Sequence, residues 1–292
     1  MKKVCLTLLV IMTASLLFGC MDRANPIRPT QGSDGLKAVF EEDAKGSPIA
    51  DYFWVAENIE ENVGKKLTCV IDGKKETGTY FETGRIMGDR RWFDVYLGDD
   101  YLFSVEKGSD RVFNWVSVGE PDPEGVPVYS EEQCKKISLE IFDSISGGSA
   151  SSEYKMIVRR DDHLMSYSFC FRRTVSVFDT PEMIEVTVSS VTGEQLSMTA
   201  QNVGEYSEKS LLHYDLSLKN VTAGWRDAVE KSVSEKYPGL KSEIQNAILF
   251  KMDNGRVGVI CEVDIIEEKP DENGGAATVS ERYSLAVYED LE

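Results

Sequence analysis

Ser130–Ile145 reads SEEQCKKISLEIFDSI and carries the clearest helix signal of the chain. Ser130 followed by Gln133 three residues later fits a capping box, which satisfies free backbone N–H groups at a helix start. Cys134 and three isoleucines then recur at helical spacing, and Gly147-Gly148 interrupts the pattern. We therefore predict an amphipathic helix with one buried face at this point of the chain.

Strand signals follow this helix. Residues 154–160 and 163–178 alternate in polarity about Asp161-Asp162, which predicts a hairpin. The predicted register places two sets of side chains on one face, namely Tyr154, Met156 and Val158 beside Phe169, Tyr167 and Met165. A further strand around Val186 passes a turn at 192–194 and continues through Met198. We expect residues 128–205 to form one helix covering one face of an antiparallel sheet.

Residues 222–292 repeat this plan more weakly, after a connecting segment at 206–221. Residues 222–237 predict a helix with Trp225 on its apolar face, and Pro238-Gly239 ends it. Asn254-Gly255 predicts a hairpin with a two-residue loop that pairs Phe250 with Val259. The last predicted strand contains Leu285.

The helix beginning at Ser130, the two strands and the strand running into Val191-Thr192-Gly193-Glu194 resemble a PepSY domain. The match extends over residues 129–205 and, more weakly, over 222–292. The resemblance implies a helix packed on a small antiparallel sheet, as in the propeptides of secreted metallopeptidases and in bacterial envelope proteins. It carries no catalytic residues, so the implied role is binding or inhibition.

The N-terminal side of the chain is rich in strand signals. Apolar residues alternate over 36–118, after a possible short helix near 36–42, and predict a β-rich domain. Residues 119–127 contain three prolines and two glycines and form the predicted linker. The expected fold class is therefore α+β, with a β-rich N-terminal domain followed by two small helix-on-antiparallel-sheet domains.

The first twenty residues predict the location of the protein. Lys2 and Lys3 precede an apolar run from Val4 to Phe18, which is typical of a secretory signal peptide at residues 1–19. Leu17-Phe18-Gly19-Cys20 resembles the bacterial lipobox, which implies cleavage before Cys20 and lipid attachment, including acyl chains such as palmitate, to that residue. Residues 20–35 contain Pro26 and Pro29 and predict a flexible tether. We expect a lipid-anchored, extracytoplasmic protein of the cell envelope; an ordinary secreted protein is the alternative.

Charge restricts the expected partners. The chain has 50 acidic and 32 basic residues and a formal net charge of -18. Such a surface disfavours nucleic acid and anionic lipid headgroups, whereas cations and basic peptides are easier partners. We expect membrane attachment through Cys20 and a protein or peptide partner.

No pattern predicts a catalytic, cofactor or metal site. His163 and His213 belong to no zinc-binding spacing, and no Gly-x-Ser-x-Gly motif is present. The acidic loop at 267–275 lacks the ligand order of an EF-hand. Arg159-Arg160 and Arg172-Arg173 are expected to be flanking charges rather than one anion site.

Four cysteines follow Cys20, and the sequence leaves their pairing open: Cys69, Cys134, Cys170 and Cys261. We expect Cys69, Cys134 and Cys261 to be inert buried thiols on apolar faces, and Cys170 to share a more polar face with Ser166, Ser168 and Arg172.

The resulting hypothesis is a membrane-anchored binding or regulatory module for another envelope or secreted protein, without enzyme activity. One alternative is an envelope hydrolase with an unrecognised site in residues 36–118, which a perturbed acid pair in a cleft would support. The other alternative is a structural envelope spacer, which would have neither a cleft nor an open strand edge.

Overall fold

The computed structural model describes residues 35–53, 55–57, 59–109, 111–118, 125–270 and 276–289. These residues contain fourteen β-strands and few helices. They divide into two compact units. The larger unit contains the described residues between 55 and 212. The smaller unit contains the described residues between 35 and 53 and those between 213 and 289.

The larger unit contains a sheet of ten antiparallel strands. Along this sheet the order is β8-β9-β10-β11-β7-β6-β5-β4, and both β2 and β3 pair with β4. The strands are β2 Val55–Glu57, β3 Lys66–Ile71, β4 Lys74–Arg85, β5 Trp92–Leu97, β6 Tyr101–Glu106, β7 Val112–Ser117, β8 Tyr154–Asp161, β9 Ser166–Val175, β10 Phe178–Ser189 and β11 Gln195–Gln201.

Helix α1, Glu131–Ile145, covers part of this sheet. The predicted capping box is confirmed, because Ser130 Oγ accepts the Gln133 N–H and Gln133 Oε1 accepts the Ser130 N–H. Phe142 is fully buried, and its ring lies 4.7 Å from that of Phe171 on β9. The apolar face of α1 thus forms one core with β9 and β10. A short helix α2, Glu208–Leu211, lies near the end of this unit.

The smaller unit is a four-stranded antiparallel sheet with one long helix. Its order is β1-β14-β13-β12, and α3 packs against β1, β13 and β14. The elements are β1 Leu36–Phe40, α3 Asp215–Lys236, β12 Lys241–Lys251, β13 Val257–Pro270 and β14 Ala276–Glu289. Trp225 of α3 is buried, as its helical spacing predicts, although the helix begins earlier than residue 222. None of the helices among the described residues has both the length and the apolar composition needed to cross a membrane.

The predicted short helix near residues 36–42 is wrong. Residues Leu36–Phe40 form strand β1, which pairs with β14 from the other end of the chain, and a 3₁₀ turn follows at Glu41–Asp43. Phe40 lies edge-on to the rings of Tyr237 and Tyr283, with centroid distances of 5.8 and 6.0 Å. Tertiary packing therefore decides the conformation of this short segment, for which local propensity is a weak guide.

The predicted fold class, α+β with a series of small separate domains, is also wrong. Strand β7 of the predicted N-terminal domain pairs with β11 of the predicted first helix-on-sheet domain, and this ladder joins them into one ten-stranded sheet. Strands dominate the described residues, and α1 covers only a part of the larger sheet. Alternation identifies strands, but it does not identify the neighbours with which they pair.

The registers of both predicted hairpins differ from those observed. In β8–β9, Tyr154 pairs with Arg173 and Val158 with Phe169, a shift of four residues that keeps the predicted faces because four is even. In β12–β13, Phe250 pairs with Gly258, not Val259, because the loop has a third residue, Asp253. Gly255 has φ of 76° in this loop, as in the common three-residue hairpin turn.

Candidate functional site

The candidate site lies where the large sheet opens. The ladder between β7 and β11 contains only three pairs and ends at Asn114 opposite Thr199. Beyond that pair lies a small cleft with a volume of about 30 Å³, which we call the split cleft. Its lining comprises an aromatic wall of Trp92, Phe93 and Phe113, a charged rim of Asp89, Arg91, Glu106 and Arg111, and a floor of Ala200, Gln201 and Asn202.

The aromatic wall is built by β5 and β7. The rings of Phe93 and Phe113 meet edge to face, 5.5 Å apart. Gly84 lies opposite Phe93 on β4, and a Cβ at this position would approach Phe93 Cζ to 2.7 Å. The guanidinium of Arg85 lies over the Trp92 ring at 4.9 Å from its centre. The three rings are therefore held in place by contacts with neighbouring residues of the same unit.

The charged rim is centred on Arg91. Its Nη2 lies 2.8 Å from Asp89 Oδ2, and its Nη1 lies 2.9 Å from Glu205 Oε1 and 3.8 Å from Glu106 Oε1. Burial by itself would lower the pKa of Arg91, but Asp89 and Glu205 outweigh it and raise that pKa. Arg91 thus faces three carboxylates, and with Arg111 the rim and Glu205 together carry three carboxylates and two guanidinium groups.

The floor contains polar groups that lack partners. Gln201 and Asn202 are 3% and 6% exposed. Among the described residues, neither Nε2 nor Oε1 of Gln201 has a hydrogen-bond partner, and Oδ1 of Asn202 has none either. Asn202 also has φ of 53°, in the left-handed region. Buried polar groups without a hydrogen bond are uncommon in proteins, so these two side chains distinguish the floor from an ordinary apolar core.

A buried ion pair holds the loop that follows β11. Glu182 is fully buried and accepts hydrogen bonds from Tyr154 Oη, from Arg173 Nε at 3.0 Å and from the N–H groups of Gly204 and Tyr206 at 3.0 and 2.7 Å. The loop between those two residues carries Glu205, which binds Arg91. Glu182 therefore connects the core under α1 with the rim of the split cleft.

The residues that the sequence analysis singled out lie elsewhere. Cys20 is outside the described residues. Cys69, Cys134, Cys170 and Cys261 are free thiols. Burial raises the pKa of Cys170 to about 11 and that of Cys261 to about 12, with smaller contributions from Glu185 and Glu262 respectively. These two thiols are poor nucleophiles at neutral pH.

Three expectations about these residues need correction. Cys69 is half-buried rather than buried. The predicted polar face of β9 is buried, since Ser166, Cys170 and Arg172 are each less than 5% exposed. Arg172 and Arg173 are therefore not flanking surface charges, and Arg173 belongs to the Glu182 ion pair.

Across the described ranges, His, Cys, Asp and Glu side chains form no group of three or more that could hold an ion. His163 is exposed beside the β8–β9 turn, and His213 lies in a 3₁₀ turn at Leu212–Tyr214.

The sequence analysis missed the residues of the split cleft. Arg91 and Trp92 are far in sequence from Gln201, and they converge only because β7 pairs with β11. Gln201 offered no signal, since it ends a strand in which polar and apolar residues alternate.

No sequence family matches the chain, and no characterised protein matches it either. The C-terminal domain of YpeB from Bacillus megaterium is a structural neighbour with a TM-score of 0.31 and 9% identity, and the alignment covers 84% of this chain and 98% of that one. An uncharacterised protein from Eubacterium rectale has a TM-score of 0.29 and 10% identity, with 87% and 82% covered. We draw no conclusion from similarities this low.

Proposed function

We propose that this chain is a lipid-anchored protein of the bacterial cell envelope that acts outside the cytoplasm by binding another envelope or secreted protein. The lipobox-like residues 17–20 support the anchor, and the PepSY-like sequence of residues 129–205 supports a binding or inhibitory role. The observation that carries the proposal is the split cleft, which combines an aromatic wall with a charged rim and unpartnered amides. Such a combination is typical of binding sites.

Binding fits this cleft better than hydrolysis does. Asp89 and Glu106 line it, and both face the guanidinium of Arg91. A general acid needs a carboxyl group whose pKa is raised. Among the described residues between 36 and 118, the carboxyl groups with a raised pKa are Glu41 and Glu82, and neither lines the cleft. The raised carboxyl pKa values thus do not fall at the cleft, and the spacer alternative gives no reason for the cleft.

The test compares two variants in a cross-linked pull-down from envelope and secreted fractions. Phe113→Ala removes a ring from the aromatic wall, while Phe81→Ala makes the same change at a half-buried strand position outside the cleft. We expect Phe113→Ala to reduce the captured partner roughly tenfold, because central aromatic contacts dominate binding energy, and Phe81→Ala to leave it unchanged. Equal capture by both folded variants would contradict a binding role for the split cleft.

A further inference from the structure

We propose that the smaller unit rests on the phospholipid bilayer that carries the lipid anchor, and that Leu216 of α3 inserts into the headgroup region of this bilayer. This inference rests on the proposed lipid attachment at Cys20 and specifies which surface meets the membrane. Three features of the smaller unit support it: the point where the chain enters, an exposed leucine beside that point and the local balance of charge.

The chain enters the smaller unit where α3 begins. Leu36, the first residue of β1, pairs with Glu289 at the end of β14. Asn220, in the second turn of α3, donates a side-chain N–H to Glu289 Oε1 at 2.6 Å. The start of β1 and the start of α3 therefore lie at the same end of the unit. We call this region, which comprises Leu36, Glu289 and residues 215–220, the anchor end.

The length of the tether keeps the anchor end near the bilayer. Residues 20–34 separate the predicted lipid attachment from Gly35, the first described residue. A flexible tether of this length spans about 20 Å on average. Helix α3 has 22 residues and is thus about 33 Å long, so its last residue, Lys236, lies farther from the attachment point than its start does. The anchor therefore presents the start of α3 to the membrane.

Leu216 is the apolar side chain that the anchor end exposes. It is 74% exposed, and it lies one helical turn before Asn220, on the same side of α3. Leu212, which precedes α3 in the chain, is 69% exposed as well. Single exposed leucines are common on protein surfaces, so the position of Leu216 beside the entry point decides its assignment. Burying this side chain among lipid groups removes apolar surface from water.

The charges of the anchor end permit contact with lipid headgroups. Lys219 Nζ lies 2.9 Å from Asp215 Oδ2, and Arg256 Nη1 lies 3.4 Å from Glu289 Oε2. Each of these carboxylates thus has a cation beside it, whereas the whole chain has a net charge of -18. Anionic headgroups repel an acidic surface. The anchor end therefore meets less repulsion than the acidic remainder of the chain.

The test measures lipid contact at two positions of the full, lipid-anchored chain reconstituted in phosphatidylcholine vesicles. Leu216→Cys carries a nitrobenzoxadiazole label, and Leu240→Cys, which lies beyond the opposite end of α3 and is 38% exposed, is the matched control. Both variants also contain Cys69→Ser, because Cys69 is the half-buried thiol and Cys134, Cys170 and Cys261 are buried.

Bromine on the lipid acyl chains quenches a label that reaches them. We expect brominated lipid to reduce the emission of the Leu216 label at least roughly twofold, because interfacial apolar groups lie about 5–10 Å into the boundary between headgroups and acyl chains. The emission of the Leu240 label should not change. Both substitutions replace side chains that reach solvent, so both variants should fold.

The outcomes separate this inference from the proposed function. If the protein floats with the vesicles but bromine quenches neither label, or quenches both equally, the inference fails and the lipid anchor stands. A Leu216 label whose emission shifts to the blue without quenching by bromine would identify a second copy of the chain on this surface instead of lipid. If the protein does not float with the vesicles, the proposed anchor fails and this inference fails with it.

Discussion

At the scale of single residues, Glu182 is the buried carboxylate of an ion pair in the larger unit. Its carboxylate has no exposure and accepts four hydrogen bonds, two of them from Tyr154 and Arg173. Burial and Glu182 both raise the pKa of Tyr154, which therefore stays a hydrogen-bond donor at neutral pH. Burial lowers the pKa of Arg173, but Tyr154, Glu153 and Glu182 outweigh this effect and raise it. Arg173 is consequently charged in a buried environment.

Replacing Glu182 by Gln should be severely destabilising. The change leaves the Arg173 charge buried without its main partner, and breaking a buried pair in this way costs roughly 3–5 kcal/mol. Urea denaturation measures the loss. Glu153→Gln is the matched control, because Glu153 also binds Arg173 but has an exposed side chain, so its loss should be much smaller. Similar losses in the two variants would contradict a dominant role for the buried carboxylate.

The cysteines differ in reactivity at the same scale. Cys69 is half-buried, whereas Cys170 and Cys261 are buried with pKa values of about 11 and 12. Iodoacetamide at pH 8 should therefore label Cys69 in the folded protein, and label the other two only after unfolding, because the thiolate is the reactive form. Mass spectrometry of labelled peptides reads this out. Labelling of Cys261 as fast as Cys69 would show that the smaller unit opens readily.

At the scale of elements, the β12–β13 hairpin shows how one loop residue sets a register. The third loop residue places Gly258 opposite Phe250, and both positions are buried. A Cβ at Gly258 would lie 2.8 Å from Phe250 Cε1 and closer still to Cζ. Glycine is required here by the close approach of a ring, not by backbone conformation.

Gly258→Ala should therefore destabilise the protein by about 1–3 kcal/mol, because overpacking forces the ring or the strand to move. Chemical denaturation gives the free energy of unfolding. In the double variant Gly258→Ala with Phe250→Leu, part of this loss should return, since the smaller side chain relieves the contact. Strictly additive losses would count against the observed register.

The same elements show what local pattern could predict. The helix at Glu131–Ile145 and its capping box were predictable, since the signals lie within a few residues of each other. Both hairpins were recognised, but their registers were not. The register depends on the number of residues in the loop, and the local sequence does not distinguish loops that differ by one or a few residues. The faces of β8 and β9 were still predicted, since an even shift preserves them.

At the scale of the whole molecule, pairing between distant segments decides the architecture. Strand β1 joins β14 in the smaller unit, and β7 joins β11 in the larger one. Each pairing closes a long loop, which costs conformational entropy. The free energy that offsets this cost comes from hydrogen bonds and buried area between segments that are far apart in sequence. These pairings replace the predicted series of small domains.

The proposed membrane attachment also belongs to this scale. Cys20→Ser should move the protein from the membrane fraction to the soluble or secreted fraction, because two or more acyl chains provide stable anchoring and Ser cannot accept them in the same way. Immunoblots of separated fractions measure this. Cys5→Ser is the matched control within the apolar run and should leave the protein with the membrane. Retention of the Cys20 variant in the membrane fraction would refute the lipoprotein proposal.

The sequence by itself determined the α1 helix with its cap, most strand segments, the acidic charge and the lipobox-like motif, since each depends on neighbouring residues or on composition. Only the tertiary structure decided the two units, the strand order, the hairpin registers and the split cleft. Arg91, Glu106 and Gln201 come from three separate strands or their ends, and no spacing in the chain relates them. They meet because β7 and β11 pair for three residues and then separate, an arrangement set by long-range packing.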